Sequence, residues 1–208
     1  MVGMNRATGT PDSTRRAAGS SRPARIRRFL LHVILPIAGC MIVGTAWHEV
    51  VGHGLTGVWF GGTITDVEIM GARVYPHFEW RGWSGYYGRI WVDGIDTVRG
   101  EHWMLLGGAA STWLVSVVAV GLLWMRRWRG WPRRVLAWLG IWWIDLLTYM
   151  MPSWGLKRSI LWGGTVSEPY EAAVALGAPG WAVQVFVIFS CALLAIALAI
   201  RLRRAARV

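Results

Sequence analysis

Four apolar stretches, each long enough to cross a bilayer, leave this chain few ways to fold outside a membrane. A helix needs about 20 predominantly apolar residues to traverse the hydrocarbon core. The first stretch opens at Phe29 and runs to about Phe60; the others cover about 103–124, 135–152 and 181–200. Charged side chains make up only 16% of the 208 residues, against about 25% in soluble domains. That is too little polarity to coat a water-facing surface. The 16 tryptophans point the same way, because indole settles at the membrane–water interface with its ring buried and its N–H wet. The expected fold class is an all-α polytopic membrane protein of about four transmembrane helices, with a small extracytoplasmic β-hairpin or sheet after the first.

The charge pattern orients those helices. The chain has 22 basic and 11 acidic residues, a formal net charge of +11. Sixteen of the basic residues, all arginine, lie in the tail 1–28, in the connection 125–134 and after the fourth stretch, with only Asp12 for company. The positive-inside rule puts these regions, and both termini, in the cytoplasm. The excess charge therefore reports topology, and nucleic acid is excluded as a partner. Residues 1–28 read as a disordered arginine-rich tail and 29–208 as the membrane domain, placed in the plasma membrane of a prokaryote. Ile37-Ala38-Gly39-Cys40 fits a lipoprotein cleavage box, but the apolar run continues past Cys40, so an uncleaved signal anchor is the better reading. Cys40 and Cys191 both sit in apolar runs, which excludes a disulfide framework and a cysteine-based zinc knuckle.

Two connections have their own texture. In the 62–102 loop, Thr63–Ile69 alternates apolar and polar residues, and 73–80 and 88–93 are further short β-like runs. The 153–180 loop holds a Ser-Ile-Leu-Trp-Gly-Gly stretch that is expected to re-enter the bilayer.

Ionisable residues inside a span are costly and mark function. Here they are His32, His48, Glu49, His53 and Asp145. His32 lies near the cytoplasmic end, where it reaches water. His48-Glu49-Val50-Val51-Gly52-His53 resembles the zinc-hydrolase arrangement, in which two imidazoles hold the metal and the glutamate takes a proton from water. The usual spacing of the histidines is i, i+4; here it is i, i+5, which separates them by about 140° on an ideal α-helix. They converge if the helix is locally under-wound, as in a π-bulge. Otherwise Glu49 and His53 form the same-face pair and His48 has another role, or all three are interfacial polar residues capping the helix without metal. A di-iron histidine-box enzyme is excluded, because the chain has only 5 histidines.

The segment from His48 to Ile69, HEVVGHGLTGVWFGGTITDVEI, resembles the site-2 protease family of intramembrane zinc metalloproteases. Members carry His-Glu-x-x-His on a membrane helix, then Gly-Gly ahead of a β-strand. A later helix opens on a small-residue patch, matched here by Leu106-Gly107-Gly108-Ala109-Ala110-Ser111. The likeness extends over roughly 45–180, with one residue more in the histidine spacing and without the family's late Asp-Gly motif. It implies peptide-bond hydrolysis in membrane-embedded or membrane-proximal segments, with Zn2+ bound by His48, His53 and an acidic residue and Glu49 as the base. For the third ligand Asp145 is preferred, since it lies at about the same depth as His53; Glu168, expected in a loop, is the alternative. The implied partners are a membrane protein or peptide substrate and the lipid bilayer. The small-residue patch permits close helix packing, within the chain or in a homo-oligomer. The competing function is an inactive pseudoprotease or scaffold that binds partner helices.

Overall fold

A computed structural model describes residues 26–27, 30–83, 85–156 and 166–206. Outside the described residues fall most of the arginine-rich tail, the Ser-Ile-Leu-Trp-Gly-Gly stretch, and the side chains of His32 and Cys40. The chain divides into two compact units, Met1–Leu35 and Pro36–Val208, and all that follows concerns the second, apart from a π-helical turn at Leu30–Ile34 and the first residue of α1, Leu35.

The chain is mostly helical with one small sheet. Helix α1 (Leu35–Ala46) leads into a π-helical segment (Trp47–Leu55) and a short α2 (Thr56–Trp59). Four strands follow: β1 (Thr63–Ile69), β2 (Ala72–Tyr75), β3 (Glu79–Trp80) and β4 (Gly88–Asp93). Then come α3 (Val98–Met125), α4 (Gly130–Leu139), α5 (Trp143–Met150) with a 3-10 turn at Met151–Trp154, α6 (Glu168–Ala175) and α7 (Gly180–Ala206).

Three helical stretches are long and apolar enough to cross a membrane: Val98–Met125, Gly130–Trp154 and Gly180–Arg204. Their outward faces are apolar, as a lipid-facing helix requires. On α7, Val187, Cys191, Leu194 and Leu198 are buried, whereas Val185, Phe189, Leu193, Ile196 and Ile200 are exposed. The buried row packs on α3 and α5. Ala109, Leu146, Met150, Val187 and Cys191 form one core cluster; Val120, Leu123, Leu194 and Leu198 form a second.

Helix α3 is the post around which the others gather. Thr97 caps its start, its hydroxyl oxygen accepting from the Gly100 N–H at 3.0 Å. At its far end Arg201 of α7 donates to the Leu123 carbonyl at 2.5 Å and to the Arg126 carbonyl at 3.0 Å. A cation there meets carbonyls that the helix leaves unpaired and opposes the negative end of its dipole. The stretch read as a single third span is broken between α4 and α5 over Gly140–Trp142, where the Ile141 and Trp142 amides turn back to carbonyls three residues earlier. Ser116 of α3 also donates to the Leu139 carbonyl at this break, at 3.1 Å. The break places Asp145 in the first turn of α5.

The sheet is antiparallel in the order β3-β2-β1-β4. The 73–80 run, read as one strand, is two. Pro76 has no N–H to give a ladder, and β2 ends at Tyr75 before it. One face of β4 lies on the first helix: Ile90 meets the backbone at Gly54, and Val92 meets it at Gly57. Their spacing of two residues is the pleat of a strand.

Candidate metal centre

The π-helical segment settles how two histidines five residues apart share a face. In a π-helix each N–H reaches back five residues, so i and i+5 stack as i and i+4 nearly do in an α-helix. His48 and His53 are both buried, and their Nε2 atoms are 3.0 Å apart. The wider coil fits because two backbones meet without side chains: a Cβ on Gly52 would stand 2.5 Å from the Gly108 Cα and 2.9 Å from the Gly107 carbonyl oxygen. The small-residue patch on α3 is thus the surface on which the histidine segment rests.

The other ring nitrogens fix the tautomers. His53 Nδ1 lies 2.7 Å from the Met104 carbonyl oxygen, which only accepts, so Nδ1 carries the proton. His48 Nδ1 lies 2.7 Å from Asp145 Oδ2 and donates to it. The Thr112 hydroxyl donates to the same oxygen, also at 2.7 Å. With both Nδ1 atoms protonated, two Nε2 atoms 3.0 Å apart are held together by a shared cation, either a proton that one ring donates to the other or a metal ion. Donation of the outer ring N–H to a carboxylate and to a backbone carbonyl is the usual support of a metal-bound histidine.

A third donor converges on them. Glu168 Oε2 is 3.8 Å from His53 Nε2, and ligand atoms of His48, His53 and Glu168 all lie within 4.8 Å of one another. The three could hold a metal ion. Zinc held by arms of about 2.0–2.2 Å separates tetrahedral ligands by roughly 3.4 Å, and the observed 3.0 and 3.8 Å bracket that edge. A further feature fits. A Cβ built on Gly108 would collide with His53 Nε2 and stand 2.5 Å from His48 Nε2. Glycine at 108 lets both imidazoles pack directly against the backbone of α3.

Asp145 and Glu168 thus occupy different places. Asp145, the preferred third ligand, is not in the converging group among the described residues; its oxygen is engaged by His48 Nδ1 and Thr112. Glu168 is in it, and it opens helix α6 instead of lying in a loop. Ser167 before it and Pro169 after it form a helix-start pattern. Ser167 also ties that start to α5, its hydroxyl donating to the Tyr149 carbonyl at 2.6 Å, while the Tyr149 ring stacks on His48 at 4.9 Å between centroids. Glu49 is buried, and its side chain lies against the first residue of β4: a Cβ on Gly88 would stand 2.6 Å from Glu49 Cγ and 2.8 Å from Oε1.

Met104, Thr112, Tyr149 and Ser167 were not legible as site residues. The first contributes only a carbonyl, which every residue has. The Ser-Glu-Pro start of α6 is the one signal that could have flagged its neighbourhood.

The fold and site together define a class: a helical chain with three membrane-crossing candidates and a His–His–Glu group suited to a metal ion. Beyond that class, the chain matches no known family, no curated protein and no solved structure.

Proposed function

We propose that the chain is a four-span membrane metalloprotease with both termini cytoplasmic, using zinc bound by His48, His53 and Glu168 to hydrolyse peptide bonds in membrane-embedded or membrane-proximal segments. The observation that carries this reading is the convergence of the His48 and His53 Nε2 atoms, 3.0 Å apart, with Glu168, each ring held from behind by an acceptor at its Nδ1. The motif's resemblance to site-2 proteases supplies the reaction.

Zinc, when bound, contributes Lewis-acid activation of a water and of the scissile carbonyl. The side chains do the rest. Glu49 accepts the proton that the water loses and returns it to the leaving amine. Asp145 holds His48 in the Nδ1–H tautomer, and Thr112 holds Asp145. The Met104 carbonyl does the same for His53. A peptide within a membrane helix is protected by its own hydrogen bonds, so the substrate must be drawn out as a strand. β4 pairs on one side with β1 and, among the described residues, with no strand on the other. It begins at the residue against which Glu49 lies, so its open edge is a place for an extended substrate to add as a further strand.

The test is cleavage of a labelled single-span substrate by the full chain in vesicles. Glu49→Gln is expected to keep its zinc and lose at least 100-fold in rate, since general acid–base catalysis contributes about 10²–10⁴. A Glu49→Gln chain that cleaves at the wild-type rate would contradict the assignment.

A further inference from the structure

Resting on the reading above, we infer that the metal centre works from the extracytoplasmic side, on peptide segments in the outer third of the bilayer or just outside it. The two ends of α3 differ in kind. Met104, Gly108 and Thr112, which touch the site, lie about 9, 15 and 21 Å along the helix from Val98 at 1.5 Å per residue. Met125 is about 20 Å beyond Thr112.

The Met125 end is basic. Arg126, Arg127, Arg129, Arg133 and Arg134 follow it, and Arg201 of α7 bonds the Leu123 and Arg126 carbonyls there. Neither 126–134 nor 201–208 contains an acid. The sheet sits at the other end. Phe60 and Ile95, which bracket the strands in sequence, border Gly100 in the first turn of α3, and residues 61–96 hold the acids Asp66, Glu68, Glu79, Asp93 and Asp96 against the arginines Arg73, Arg81 and Arg89.

A basic end faces the cytoplasm. Sheet, open edge and site share the opposite end, so a substrate strand that adds to β4 reaches Glu49 and the histidines from outside. From the cytoplasmic side it would have to pass through most of a hydrocarbon core about 30 Å thick.

Side and site can be tested separately. In a chain lacking Cys40 and Cys191, single cysteines are introduced as Thr65→Cys on β1 and Arg127→Cys after α3, and intact cells are treated with a membrane-impermeant maleimide. Labelling of Thr65→Cys alone, with Arg127→Cys reacting only after permeabilisation, is the expected result. The reverse pattern, or labelling of both in intact cells, would overturn the inference. EDTA, which does not cross the bilayer, is then expected to strip zinc from right-side-out vesicles at least tenfold faster than from inverted ones; equal or reversed rates would overturn it. Cysteine labelling needs no metal, so a chain that holds no zinc fails the metal reading without deciding the orientation.

Discussion

Asp145 shows how much of a site depends on which atom a side chain meets. A carboxylate inside a span is costly enough to demand a partner, and its depth in the third stretch matched that of His53. Both facts pointed to the surroundings of His53, and Asp145 lies against its neighbour His48. The sequence does not say whether such a carboxylate meets a metal or the nitrogen behind a ligand, because the two places are only one imidazole ring apart. Asp145 lies 2.7 Å from His48 Nδ1, the ring nitrogen that does not face His53. Asp145→Asn, which keeps an acceptor for His48 but removes the charge, is expected to weaken zinc affinity about 10–100-fold, measured by competition with a chromophoric chelator. Unchanged affinity would remove Asp145 from the site's support, and complete loss of zinc would make it a ligand. Gly108 offers a sharper perturbation. Gly108→Ala puts a methyl group against both Nε2 atoms, and the folded variant is expected to carry less than a tenth of the wild-type zinc. Full retention would show that zinc binding does not depend on the close packing of both rings on Gly108.

At the level of elements, the decisive feature is the widened helix over Trp47–Leu55. The i, i+5 spacing admitted several geometries, and only the helix's neighbour chooses among them. The choice falls to π geometry where glycine backbones at 52, 107 and 108 meet. The histidines and Gly52 were legible in the sequence, and the small-residue patch was legible as a packing surface. That one would lie upon the other was not, because some 50 residues of sheet and loop separate them. The strand runs were read largely correctly from their alternation, and the split at Pro76 follows from a missing N–H. The long third stretch read as one helix; its break over Gly140–Trp142 has no sharper signal than one glycine among apolar residues. Deleting Val51 turns the segment into His-Glu-Val-Gly-His. A regular α-helix then stacks the two rings at i, i+4, and the variant is expected to retain about one equivalent of zinc by elemental analysis. A folded but metal-free deletion variant would show that the site depends on the wide coil itself and not on the facing of the two rings.

The molecule as a whole is built with its polarity inside and its apolar surface outside. Among the described residues, His48, Glu49, His53, Thr112 and Ser167 are buried on α3, the histidine segment and the start of α6, while Glu68 on β1 and Ser116 at the α4–α5 break are buried too. The lipid-type faces of α3 and α7 carry the exposed valines, leucines and phenylalanines. The length of the apolar stretches made the apolar outer faces legible at once. It could not show how α6 is oriented, and with it Glu168, since that depends on Ser167 reaching the Tyr149 carbonyl 18 residues away. The most direct measurement of the central claim is the zinc content of the purified full chain beside that of His53→Ala, both confirmed folded by circular dichroism. The account predicts about one zinc per wild-type chain and less than a tenth of that in the variant. Equal zinc in the two, or none in the wild type after growth with zinc supplied, would contradict it.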